Sequence, residues 1–114
     1  METANENITR FEVDGKSYVL KYTIERVEIY EDAYGSLGRL LYTGDVFIKL
    51  TQLYDLMACA IKEEGGAYVN PAQAREMAEE IVKRNGYYET VMAVFAQLKE
   101  DCGFLFLDFE AAAM

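Results

Sequence analysis

Asp14-Gly15, set between two runs of alternating apolar and polar residues, constrains this chain more than any other stretch. The runs are Arg10–Val13 before it and Lys16–Tyr22 after it. A two-residue turn between antiparallel strands needs positive φ at its central positions, and Asp followed by Gly supplies that at low cost. The pattern predicts a β-hairpin over residues 8–22. Phe11 and Val13 share one face of its first strand, and Tyr18, Leu20 and Tyr22 share one face of its second. At Thr23 the period changes. Thr23 can accept hydrogen bonds from the first free N–H groups of a helix. Ile24, Val27 and Tyr34, with Tyr30 beside them, predict an amphipathic helix over residues 23–34, stopped by Gly35. A lone hairpin is marginal in water, so its apolar face needs a helical layer.

The rest of the chain supplies helical patterns. Residues 36–42 form a short apolar connection that has room for one helical turn. Thr43-Gly44-Asp45 offers an N-cap. From Val46 to about Glu64, residues Val46, Leu50, Leu53, Tyr54, Met57 and Ile61 lie on one stripe, with Ile48, Leu56 and Cys59 off it. This predicts a long central helix packed on more than one side and ended by Gly65-Gly66. Asn70-Pro71 marks the next start, a cap followed by the only proline. The helix from Pro71 to Arg84 carries Ala74, Met77, Ala78, Ile81 and Val82 inward. Glu79–Lys83 and Glu80–Arg84 are spaced for ion pairs of about 0.3 kcal/mol each. A last helix from Tyr87 to about Cys102 is expected to bury Tyr88, Val91, Met92, Phe95, Leu98 and Cys102, and Gly103 stops it.

The expected architecture is α+β: an N-terminal hairpin on a bundle of about four helices. With 114 residues, 1–114 suits a single domain, in which 1–7 form a solvated tail, 8–22 the hairpin, 23–102 the helical part and 103–114 an apolar tail. That tail contains Phe104, Leu105, Phe106, Leu107 and Phe109, a run that must be covered to avoid aggregation. It is either a third strand on the hairpin, an extension across the helices, or a docking segment for a partner or second subunit.

The net charge of −9 argues against a nucleic-acid backbone as partner, and a basic protein partner is compatible with it. No apolar run reaches the roughly 20 residues needed to span a bilayer, and the polar, acidic start is unlike a signal peptide. The expected setting is soluble and intracellular. There Cys59 and Cys102 are two reduced, partly buried thiols.

Chemistry is sparse. The chain has no histidine, which removes Ser-His-Asp and Cys-His arrangements and most zinc sites. Gly15-Lys16-Ser17 lacks the first glycine of a phosphate-binding loop, because Arg10 stands there. The carboxylates of residues 31–35 lack the alternation of a calcium loop. Glu63-Glu64 and Glu79-Glu80 are adjacent and point apart, so they make no acid–base pair. No catalytic, metal or cofactor site is expected. Among nine tyrosines, Tyr42, Tyr54, Tyr87 and Tyr88 are either rim residues of the core or interface residues.

The stretch from Phe11 through Lys21-Tyr22-Thr23-Ile24 to Val27-Glu28 resembles the start of tail assembly chaperones of long-tailed (siphovirus-type) bacteriophages and prophages. Those proteins begin with a hairpin on a Gly-Lys turn, a strand similar to Tyr18–Tyr22 and a helix similar to Ile24–Glu28. The resemblance is close over residues 10–34 and architectural beyond. It implies a protein without catalysis that binds the tape measure protein, helps recruit tail tube subunits, self-associates, and works in the host bacterial cytoplasm. It also implies that a longer form arises by frameshifting near the C-terminus in many members. Phe104, Leu105, Phe106, Leu107 and Phe109 are the expected partner-binding residues, on their apolar character. Two readings from other classes are an acidic inhibitor or antitoxin-like module that masks a basic partner, and a small enzyme using Tyr, Lys and carboxylates alone.

Overall fold

At the hairpin turn Asp14 has φ 52° and Gly15 φ 82°, the positive pair that a tight primed turn requires. In a computed structural model that describes residues 8–41 and 48–105, β1 (Arg10–Val13) and β2 (Lys16–Leu20) pair antiparallel around this turn. Phe11 stands opposite Tyr18 and their rings stack at 5.7 Å. Thr23 caps α1 (Ile24–Tyr34), its hydroxyl accepting from the Arg26 N–H at 3.2 Å, and Gly35 (φ 97°) ends the helix. Val27 and Tyr30 form its buried stripe, whereas Ile24 and Tyr34 are exposed, contrary to the spacing-based expectation. The one-turn helix in the connection is present as α2 (Leu37–Leu41), with the Ser36 hydroxyl accepting from the Arg39 N–H.

The long central helix is shorter than its pattern. Helix α3 spans Leu50–Ala58, and Ile61–Glu63 form a third strand, β3, antiparallel to β2 in the order β1-β2-β3. An unbroken apolar run such as Met57–Ile61 has no period that separates helix from strand. Here the open edge of β2 decides. Pairing there satisfies the backbone of residues 61–64, including Glu64 N–H to Ser17 C=O at 2.9 Å, and buries Ile61 completely. Gly65 (φ 77°) is thus a strand-turn residue, and Tyr68 bridges back to Lys62. The third strand among the described residues comes from residues 61–63, and of the tail Phe104 and Leu105 lie outside the sheet. Leu56 and Cys59, placed off the stripe by helical spacing, are buried, and Leu50 is exposed. The Thr43-Gly44-Asp45 cap, Val46, residues 1–7, Phe106, Leu107 and Phe109 lie outside the described residues.

Helix α4 (Pro71–Asn85) begins as expected, with the Asn70 side chain accepting from the Gln73 N–H at 2.9 Å. All five residues assigned to its inner face are buried. The ion pairs differ from the spacing rule: Arg75 pairs with Glu79 and Lys83 with Glu80, each at 3.7 Å. Arg75 also reaches across to Asp55 of α3, a partner that helical spacing could not show. Helix α5 (Tyr87–Asp101) follows Gly86 directly. Its buried face is Thr90, Val91, Ala93, Val94 and Leu98, with Cys102 just beyond. Tyr88 and Met92, expected inside, are 55% and 47% exposed, because small residues let α5 pack closely on the other side.

One junction ties the layers together. Tyr22, at the hairpin exit, donates from its hydroxyl to the Leu56 carbonyl of α3 at 2.8 Å. Its backbone N–H donates to Asp101 at the end of α5 at 3.0 Å. Asp101 also accepts from Lys21 (3.1 Å) and Gln97 (3.0 Å), with its side chain only 5% exposed. Replacing Asp101 with Ala removes these acceptors and strands the Tyr22 N–H. The expected cost is about 2 kcal/mol, read as a lower urea midpoint at unchanged slope. Asp101→Asn keeps one acceptor oxygen and is expected to lose less.

Candidate protein-docking surface

No helix among the described residues is long and apolar enough to cross a membrane, and none of their acidic or thiol groups cluster to hold a metal ion. The thiols are also removed from chemistry by their surroundings. Cys59 is buried beneath α1 and donates to the Leu56 carbonyl at 3.1 Å, and burial pushes it up to about 12. Burial raises Cys102 as well. Neither is paired in a disulfide. A thiol kept protonated is a poor nucleophile.

A polar cluster lies between α1, α3 and α4. Arg75 pairs with Asp55 and stands 5.5 Å from the Tyr54 ring, while Tyr30 and Tyr34 pack against each other at 5.2 Å. Burial raises Tyr30 to about 12. On its other side, Arg26 donates to the Cys59 carbonyl at 2.6 Å and lies over the Tyr68 ring at 4.1 Å. These contacts hold helices and the α3–β3 turn together, so the cluster reads as structural.

What the surface offers is apolar area. Ile24, Ile29, Tyr34, Leu50, Tyr88, Met92 and Phe104 are large apolar residues left exposed. Tyr88, Met92 and the half-buried Phe95 lie along one flank of α5 at helical spacing, a stripe beside the buried one. Among the expected partner-binding residues, Phe104 is 50% exposed and Leu105 is half-buried against the core, its N–H bonded to the Cys102 carbonyl at 2.9 Å. Phe106, Leu107 and Phe109 lie outside the described residues. Of the tyrosines singled out, Tyr54 and Tyr87 are half-buried, and Tyr87 donates to the Ile48 carbonyl. Tyr88 is the exposed one, and Tyr42 lies outside the described residues.

Sequence reasoning missed a groove. Phe11 and Val13 of β1 and Met77 and Ile81 of α4 enclose about 240 Å³, rimmed by Gln73, Glu76, Glu80, Arg84 and Asn85. Each apolar face was readable from its own period, but their meeting across some 60 residues of chain was not.

Comparison with family models, with curated proteins and with solved structures found no match.

The titrations carry a sign that can be checked. Tyr30 and Cys59 hold their protons to about 12, and burial raises Tyr22 well above the ordinary tyrosine value. Between the ordinary thiol value of 9.0 and about 12 the folded chain therefore binds more protons than the unfolded one. Stability is expected to be flat below this window and to fall as pH rises through it. Melting temperatures measured from pH 8 to 12 check this. Native-state alkylation at pH 8, read by mass spectrometry, is expected to leave Cys59 and Cys102 unmodified until the protein is denatured.

Proposed function

We propose that this protein is a non-catalytic tail assembly chaperone of a long-tailed bacteriophage or prophage, which holds the tape measure protein and helps recruit tail tube subunits in the host cytoplasm. The observation that carries this reading is the placement of the resembling stretch. Phe11–Val13, Tyr18–Tyr22 and Ile24–Glu28 form the turn-closed hairpin and capped first helix that the resemblance implies. The surface supports it. A holding protein needs apolar contact area beyond its own core and enough charge to keep the complex dissolved. Exposed Tyr88, Met92 and Phe104 supply the first, and the net charge of −9 the second. Phe104 and Leu105, with Phe106, Leu107 and Phe109 of the same run, are the proposed contacts to the partner or to a sister subunit.

A second reading rests on the charge alone: an acidic module masking a basic partner. A tagged pull-down from cells producing the parent phage, read by mass spectrometry, separates the two. Recovery of a very long, helix-rich structural protein that survives moderate salt is the expected result. Recovery of one small basic protein, lost as salt screens the attraction, would replace the chaperone reading with the inhibitor one. Ending the chain after Gly103 is expected to weaken partner capture and self-association at least tenfold. Undiminished capture by the truncated chain would remove the tail from the contact surface.

A further inference from the structure

The groove beside β1 is bordered by a strand edge that is open among the described residues. The Leu20 N–H donates to the Thr9 carbonyl at 2.9 Å, so Thr9 and Leu20 are a hydrogen-bonded pair. Antiparallel pairs alternate, so Phe11–Tyr18 and Val13–Lys16 are hydrogen-bonded pairs too. Arg10 and Glu12 then direct their N–H and C=O groups away from β2. Among the described residues β1 is an outer strand of the sheet, so those groups point to an edge that no other described strand covers. On the face of Phe11 and Val13, the same edge borders the groove floored by Met77 and Ile81.

We propose that this edge and groove form a docking site for an extended, lysine-bearing polypeptide segment of another protein, added to β1 as a further strand. The volume of about 240 Å³ falls below the roughly 300–1,000 Å³ usual for small-molecule sites and suits side chains of a chain held from outside. An added strand places alternate side chains in the groove against Phe11 and Val13. Its other side chains fall beside Arg10 and Glu12. Arg10 is already bound to Glu64 at 2.9 Å, whereas Glu12 has no ion pair among the described residues. At the groove rim Glu76 also has none. At the rim Glu76 is offset by Arg84, which likewise has no ion pair among the described residues, so the uncompensated charge met by the incoming strand is negative on the Arg10–Glu12 face, and the groove face is apolar. That selects an alternation of apolar and basic residues. The net charge disfavours a second copy of this chain, which would bring a further −9 to the seam.

The site stands apart from the tail-assembly reading, and its test does not use the tape measure protein. The probe is a capped Lys-Val-Lys-Val-Lys-Val-Lys peptide, titrated into the isotope-labelled full chain and followed by amide shifts. A peptide of the same sequence with N-methylated valines keeps the charge and loses the strand hydrogen bonds. The expected result is shifts at residues 10–13 and 76–84, with binding at least tenfold tighter than that of the N-methylated peptide. Glu12→Pro removes an outward-facing N–H while sparing the β1–β2 ladder, as an edge strand tolerates. It is expected to weaken binding about tenfold. Glu76→Lys, an exposed helix substitution that leaves the strand intact, is expected to weaken it severalfold, and Glu28→Lys on α1 to leave it unchanged. Equal binding of the two peptides would show attraction by charge alone and overturn the proposal. So would shifts centred elsewhere, absence of binding at about 1 mM peptide, or amide shifts at residues 10–13 on diluting the chain alone, which would show that copies of the chain already occupy the edge.

Discussion

The fold depends on the junction at Tyr22. The hairpin, α3 and α5 approach one another there, and every polar group brought inside is paired. The phenol donates to Leu56, the backbone N–H to Asp101, and Asp101 is completed by Lys21 and Gln97. The arrangement answers a specific difficulty. A carboxylate at the last residue of a helix lies at the negative end of the helix dipole and is unfavourable there by itself. The Lys21 ammonium 3.1 Å away offsets it, and Asp101 in return holds Lys21 charged above the ordinary lysine value. The helix end thus becomes the anchor for the strand that exits the hairpin. Tyr68 adds a second tie, its hydroxyl donating to the Lys21 carbonyl at 2.9 Å.

Elements whose signals are local were legible. The Asp14-Gly15 turn, the Thr23 cap and the Asn70-Pro71 start each rest on backbone chemistry within four residues. The inner face of α4 was readable because its other face is charged throughout, so only one stripe can go inside. Helix α5 lacks that contrast. Tyr88, Met92 and Phe95 are as apolar as the residues that are buried, and the small Thr90 and Ala93 carry little weight in a hydrophobic pattern. Close packing nevertheless favours the small face. Thr90 is completely buried only because its hydroxyl donates to the Gly86 carbonyl at 2.7 Å.

The third strand was hidden for a different reason. Met57–Ile61 reads equally well as helix or as buried strand, and the deciding partner, β2, lies about 40 residues earlier. Once α3 ends at Ala58, the Cys59–Ala60 turn brings the chain back to Lys21, whose N–H donates to the Ala60 carbonyl at 2.9 Å. Arg26 fixes that turn from outside through the Cys59 carbonyl. Pairing on this side of β2 leaves β1 as an outer strand among the described residues. The open edge and the groove beneath it therefore follow from the same non-local event, and neither could be read from either segment alone.

The two kinds of exposed apolar surface differ in what they can recognise. The flank of α5 at Tyr88, Met92 and Phe95 offers chiefly apolar area, so it discriminates mainly by hydrophobicity. The edge of β1 presents backbone donors and acceptors in fixed register beside Phe11 and Val13, so it discriminates by conformation: a helix has no free backbone groups to offer it. A helical client would lie along the first surface, and an extended segment would add to the second. Both draw on the same net charge of −9, which favours basic partners at either place and opposes pairing of one copy with another. Salt therefore weakens the charge contribution to both surfaces while leaving apolar burial and strand hydrogen bonding in place. Conformation, rather than charge, is the property that separates the two kinds of client.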